Sequence, residues 1–204
     1  MEAVGKGCVK MYKSIDLFAG IGGIRLGFDN AFKDGIETVF ISEWDEKAKE
    51  TYQSNFKDDF DIQGDITKIS ADDIPNHDIL LAGFPCQSFS MAGLKKGFED
   101  ARGTLFFDVA RIVKHHKPKV VFCENVKNLV NHDRGKTFKI IIRILEDIGY
   151  TVFSKILNSK NFGVPQNRER IYIVAFRNDI APESFIFPKR AGKKTTIKDI
   201  MEEK

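Results

Sequence analysis

Apolar residues fall in short runs separated by polar, periodic stretches. Residues 14–19 (SIDLFA) form a compact apolar run that ends in Gly20-Ile21-Gly22-Gly23, and residues 24–32 (IRLGFDNAF) carry apolar side chains at helical spacing. That order predicts a strand, a glycine turn and a helix. The pattern continues with a strand over 37–43, a charged helix over 45–56, a short strand near Asp61 and a strand over 78–82. Residues 83–103 hold four Gly and one Pro among polar residues and predict a long loop. A helix over 104–116 is stopped by Pro118 and followed by an apolar strand over 119–123 (KVVFC). An amphipathic helix over 136–148 ends at Gly149, and two further strands, 150–157 and 170–176, have no helix between them.

Strands alternating with helices predict an α/β fold with a mostly parallel sheet covered on both faces. The last two strands, lacking a crossover helix, are expected to pair antiparallel as an edge. Ligands of such sheets bind outside the carboxyl ends of the strands. That rule puts Gly20–Gly23, Glu43, Asp65, residues 83–90 and residues 124–128 on one rim.

Composition agrees with a globular chain: 204 residues, 42% hydrophobic and 30% charged. The net charge of +3, from 32 Lys plus Arg against 29 Asp plus Glu, neither marks nor opposes a nucleic-acid binder. Three cysteines, at 8, 86 and 123, form no close pair and suit a reducing compartment. With no signal-like N-terminus and no run of about 20 apolar residues, a cytoplasmic location and no membrane partner are expected.

At one end of the rim the chemistry suits a nucleoside. The run G-x-G-G differs from the dinucleotide fingerprint G-x-G-x-x-G, so a pyrophosphate site is not spelled out. A tight turn without a ligand remains the alternative. Glu43 at the end of the second strand is placed to accept from ribose hydroxyls, and Trp44 to stack on a base; a surface Glu and a half-buried Trp sealing the sheet edge would read the same way. Asp65 is either an acceptor for an exocyclic amine or a turn residue. Together these residues suggest an adenosine-bearing cofactor without a pyrophosphate.

At the other end, Cys86 leaves a strand at the ligand rim behind Pro85, which makes its thiol a candidate nucleophile. Cys123 lies inside an apolar strand and is expected to fill core. Glu124, at the end of the adjacent strand, would reach the same cleft as an acid, with a cap as the alternative for it and Asn125. Arg168 and Arg170, two apart on an extended backbone, share a face and suit a phosphate and a base carbonyl, or a salt-bridged surface edge. Lys95, Lys96 and Arg102 flank the long loop and are placed to follow DNA phosphates.

These runs resemble the DNA (cytosine-5) methyltransferases of the bacterial restriction-modification type. The matching motifs are DLFAGIGG at 16–23, EW at 43–44, GDI at 64–66, GFPCQSFS at 83–90, FEDARGTLFFD at 98–108, ENV at 124–126 and QNRER at 166–170, in the family's order from about residue 14 to 187. The resemblance implies a Rossmann-like S-adenosylmethionine-dependent fold, with S-adenosylhomocysteine as product, no metal, and methylation of a cytosine flipped out of double-stranded DNA. It implies Phe18 facing the adenine, Glu43 on the ribose, Trp44 near the adenosine, Asp65 on the adenine amine and Ile66 against the ring. Pro85 and Leu105 would line the cofactor pocket, and Gly20, Gly22 and Gly23 would let the methionine part approach the main chain. Cys86 would be the nucleophile, Glu124 would hold cytosine N3 and its amine, and Arg170 its carbonyl oxygen. Arg168, counted with the catalytic residues, would support the loop and a DNA phosphate, and Gln87 and Ser90 would lie against the DNA backbone near the flipped base, beside the phosphate contact expected of Lys95.

The resemblance divides the chain into an N-terminal extension (1–12), a catalytic cofactor-binding domain (13–187) and a linker or tail (188–204), where family members begin a target-recognition domain. A complementary polypeptide carrying that domain and a final helical segment is therefore expected, together with an apolar patch where the segment would pack. A regulatory cofactor-binding fragment and part of an RNA cytosine-5 methyltransferase are the alternatives.

Overall fold

In the computed structural model, residues 11–85, 105–192 and 195–201 are described. They form one six-stranded sheet in the order β2-β1-β3-β4-β6-β5. The strands are β1 Tyr12–Leu17, β2 Ile36–Ser42, β3 Ile79–Ala82, β4 Val120–Val126, β5 Tyr150–Asn158 and β6 Glu169–Arg177. The helices are α1 Gly23–Phe32, α2 Glu46–Asn55, α3 Leu105–His116 and α4 Lys136–Asp147. β1 to β4 pair parallel, whereas β6 runs antiparallel to both β4 and β5. The expected parallel sheet with an antiparallel edge is present. No helix among the described residues is long and apolar enough to cross a membrane.

Alternate residues of each strand face opposite sides of the sheet. Ile15, Leu17, Leu80, Ala82, Val121, Cys123, Ile171, Ile173 and Ala175 pack as one buried cluster with Phe106, Val109, Ala110, Ile112 and Val113 of α3 and Ile141, Ile144 and Leu145 of α4. Each such side chain contributes about 1.5–3 kcal/mol on leaving water. Cys123 is fully buried, as its apolar strand predicts, and burial pushes its thiol up to about 12, which keeps it inert. The other face carries α1, whose Phe28 meets Phe122 edge-on at 5.1 Å, and α2, whose Tyr52 is fully buried. Farther along that face, Phe185 from the chain after β6 packs on Phe153 and Phe176.

Two elements differ from the sequence expectation. The strand near Asp61 is a single bridge between Ser42 and Gln63, because Gly64 and Asp65 turn the chain away at once into a 3-10 turn. β4 runs three residues beyond Cys123, so Glu124, Asn125 and Val126 lie in the strand and pair with Tyr172, Ile171 and Arg170. Their polarity hid this extension, which the ladder to β6 supplies. Cys8, residues 86–103 of the loop expected over 83–103, and the start of the helix at Thr104 lie outside the described residues.

Candidate active site

Because β1 to β4 are parallel, their carboxyl ends share one rim. β1 ends in a turn of unusual backbone: Phe18 (φ 54°), Gly20 (φ 55°) and Gly22 (φ 86°) are all left-handed. That region suits glycine and strains Phe18, an observation that points to function. A Cβ on Gly22 would run into Phe56, so this glycine lets α1 sit close to the end of α2, whereas a Cβ on Gly20 would meet open space. Glu43, 8% exposed, ties the turn to β2: one carboxyl oxygen accepts from the Gly20 amide (2.7 Å), the other from the amides of Trp44 (2.8 Å) and Asp45 (2.9 Å). Three of roughly four acceptor positions of a carboxylate are thus used, which leaves one for a ligand. Trp44 is 79% exposed, so it does not seal the sheet edge; a large aromatic left in water is free to stack.

Asp65 caps the 3-10 turn after Gly64, accepting from the Thr67 hydroxyl (2.8 Å) and amide (3.1 Å). Those two bonds hold its carboxyl below the usual range and keep it charged. Ile66 beside it is 2% exposed and belongs to the core, so it has little surface to offer a ring. Pro85 is exposed and Leu105, the first residue of α3, is half-buried.

At the other end of the rim, Glu124 and Arg170 are joined by an ion pair of 2.8 Å between Oε1 and Nε, about one-fifth exposed on both sides. Glu124, Arg168 and Tyr172 line a cavity of about 720 Å³ with Phe18, Gly20 and Gly83, so the glycine turn and the carboxylate open onto the same space. The cavity continues along an apolar wall of α1 made by Ile24, Gly27, Phe28 and Ala31. Cys86, Gln87, Ser90 and Lys95 lie outside the described residues, as do Lys96 and Arg102.

Sequence reasoning missed two groups. Asn125, weighed as a cap, is 3% exposed and donates through Nδ2 to the Phe84 carbonyl (2.7 Å) while its Oδ1 accepts from the Val126 amide (2.8 Å). It therefore fastens the end of β4 to the backbone two residues before Cys86. Asp16 is fully buried; its Oδ2 accepts from the Tyr52 hydroxyl (3.3 Å) and its Oδ1 has no partner. Burial outweighs that bond and pushes the carboxyl up to about 7. Tyr52 in turn receives from Arg25, which forks onto Asp58 at 2.5 and 2.7 Å and lies 4.3 Å from the Phe56 ring centre. Burial opposes the Arg25 charge, but the bonds to Asp58 and Tyr52 win and raise its pKa. The signal was a lone acid inside the apolar run SIDLFA, four residues before the turn.

Residues 12–204 match the family model described as C-5 cytosine-specific DNA methylase. The type II methyltransferase M.SsoII of Shigella sonnei is 56% identical over 193 residues, which is 94% of this chain and 50% of that protein. M.HhaI of Haemophilus parahaemolyticus is 50% identical over 187 residues, 92% of this chain and 56% of its own length. The Entamoeba histolytica methyltransferase EhMeth shares the fold at a TM-score of 0.74 and 23% identity, over 96% of this chain and 61% of that one. Spodoptera frugiperda DNMT2 gives the same TM-score at 25% identity, over 95% and 60%. The chain spans about half of M.SsoII and just over half of M.HhaI. It belongs to the C-5 cytosine-specific DNA methylase family.

Proposed function

We propose that the chain is the catalytic part of an enzyme that methylates C5 of cytosine in duplex DNA, with S-adenosylmethionine as donor. The observation that carries this reading is that Glu124, held by its ion pair with Arg170, lines the same cavity as the left-handed glycine turn. The turn region fits the donor: open space at Gly20, a free acceptor position on Glu43 and an exposed Trp44 suit a nucleoside with a charged tail. Phe18, Gly20, Gly22, Gly23, Glu43, Trp44, Asp65, Pro85 and Leu105 would hold it, with Ile66 contributing mainly through its backbone. When bound, the donor supplies an electrophilic methyl group on sulfonium sulfur.

C5 of cytosine is too weak a nucleophile to take that methyl group unaided. The Cys86 thiolate forms a bond to C6, and the C5–C6 electron pair moves onto the ring while Glu124 gives a hydrogen bond or proton at N3. Arg170 holds Glu124 in place and donates a hydrogen bond to the ring carbonyl oxygen. C5 would then take the methyl group as the sulfonium S–CH3 bond breaks and S-adenosylhomocysteine leaves; a base removes the C5 proton, and the S–C6 bond breaks to return the thiolate. Arg168, Gln87, Ser90 and Lys95 hold the backbone of the flipped nucleotide, whose unstacking costs a few kcal/mol.

The unmatched length of the relatives leaves room for sequence recognition outside this chain. We assign the apolar wall along α1 as the seat of a helical segment from that remainder, carried on the same or a second polypeptide. The test is transfer of labelled methyl to DNA by the chain alone and by the chain with the remainder of a relative. Transfer to cytosine C5 that Cys86→Ser abolishes supports the reading. Tight donor binding with no transfer in either form would make the chain a regulatory binder, and transfer to RNA alone would redirect its substrate.

A further inference from the structure

A second cavity, of about 420 Å³, lies at the outer edge of the sheet, where the chain after β6 returns past β5. Its cations are Lys155, Lys189 and Arg190, joined by the amides of Asn158 and Asn161. All three cations are exposed. Among the described residues none of the three has an ion-pair partner, and the one acid in the lining, Glu169, is occupied by Lys127 at 2.9 Å. The returning segment is fixed there by the Ala191 amide donating to the Asn161 carbonyl (2.8 Å).

The register connects this cavity to the active rim. Tyr172 of β6 pairs with Glu124 on one side and Lys155 on the other. Residues directly opposite in neighbouring strands point to the same face of the sheet. Glu124, Tyr172 and Lys155 therefore form one row across three strands, and two strand spacings put Lys155 about 10 Å from Glu124. Each DNA strand carries one phosphate per nucleotide, at about 3.4 Å of axial rise, so this distance lies within reach of the backbone flanking a base seated at Glu124. A lysine on an edge strand also blunts pairing with another chain. That role is complete with Lys155 and gives no reason for Lys189 and Arg190 to converge on the same cavity.

We propose that Lys155, Lys189 and Arg190 form a phosphate-binding groove for the DNA backbone flanking the target cytosine. The inference rests on the proposed action on DNA and adds a contact separate from the catalytic residues. It positions the duplex by charge and reads no base.

The test is binding of a short fluorescein-labelled DNA duplex by the full chain across a salt series, beside Lys155→Gln/Lys189→Gln/Arg190→Gln and a control, Lys136→Gln/Lys139→Gln on α4. Neutralising each phosphate contact lowers the slope of log K against log salt by about 0.9, so the triple variant should lose about 2 to 3 in slope and the control little. Circular dichroism and cofactor affinity should match wild type in both. An unchanged slope in the triple variant, or an equal loss in the control, overturns the groove. Trapping on 5-fluorocytosine DNA separates the two ideas: wild type that traps while the triple variant keeps its slope defeats the groove alone. Wild type that neither traps nor binds, even with the remainder of a relative added, defeats both.

Discussion

Asp16 and His77 are buried groups with opposite pH behaviour. Folded Asp16 keeps its proton to about pH 7, while its unfolded value is near 3.8. Between those values the unfolded chain carries fewer protons, so this group's contribution to stability falls as pH rises through the window. His77 is 8% exposed, with Nδ1 bonded to the Pro75 carbonyl at 2.8 Å and Nε2 unpartnered. Burial lowers it to about 4, so its contribution is present above about pH 6.5 and is lost as pH falls towards 4. The loss amounts to about 2–3 kcal/mol. Urea unfolding across pH 4–7 should therefore separate two variants: Asp16→Asn should gain stability with rising pH relative to wild type, and His77→Gln should lose it. Parallel profiles would contradict both assignments. Residue types were legible here and environments were not: the acid in SIDLFA is visible in the sequence, but the orphaned oxygen needs Tyr52, 36 residues away in the chain, to be seen.

At the scale of elements, the strand–turn–helix at the start of the rim was legible because apolar periodicity and glycine spacing are local signals. Which glycine matters was not, since that depends on Phe56 and on backbone angle. Gly22→Ala should destabilise the chain by about 1–3 kcal/mol through its left-handed φ, with a further cost from Phe56. Gly23→Ala, with open space at its Cβ in the first turn of α1, should be neutral or gain up to about 1 kcal/mol. Denaturant midpoints of the two variants check this, and equal midpoints would contradict it. The end of β4 was misread for a related reason. Glu124 and Asn125 look like loop residues until the β6 ladder and the Phe84 carbonyl are seen to hold them. Asn125→Ala strands that buried carbonyl, at about 1–3 kcal/mol, and should lower kcat for methyl transfer more than it raises the KM for the donor. An equal effect on both would make Asn125 merely structural.

Across the whole molecule, alternation of strands and helices announced the sheet, and the strand order follows from parallel β1 to β4 closing on an antiparallel pair. We propose the α1 wall beside the cavity as the expected apolar patch; the sequence could not single out that face, because Ile24, Gly27, Phe28 and Ala31 read simply as the core side of a helix. The central claim is that a cysteine two residues beyond Phe84 and the carboxyl of Glu124 act on one cytosine. Replacing the C5 hydrogen with fluorine removes the proton whose loss frees the enzyme. The most direct measurement is mass spectrometry of the protein, with any complementing segment, after reaction with S-adenosylmethionine and duplex DNA containing 5-fluorocytosine. The account predicts a DNA adduct on the peptide containing Cys86, formed about 10²–10⁴-fold more slowly by Glu124→Gln. Methylated DNA with no linkage at Cys86, or an adduct that forms equally fast in the Glu124 variant, would contradict it.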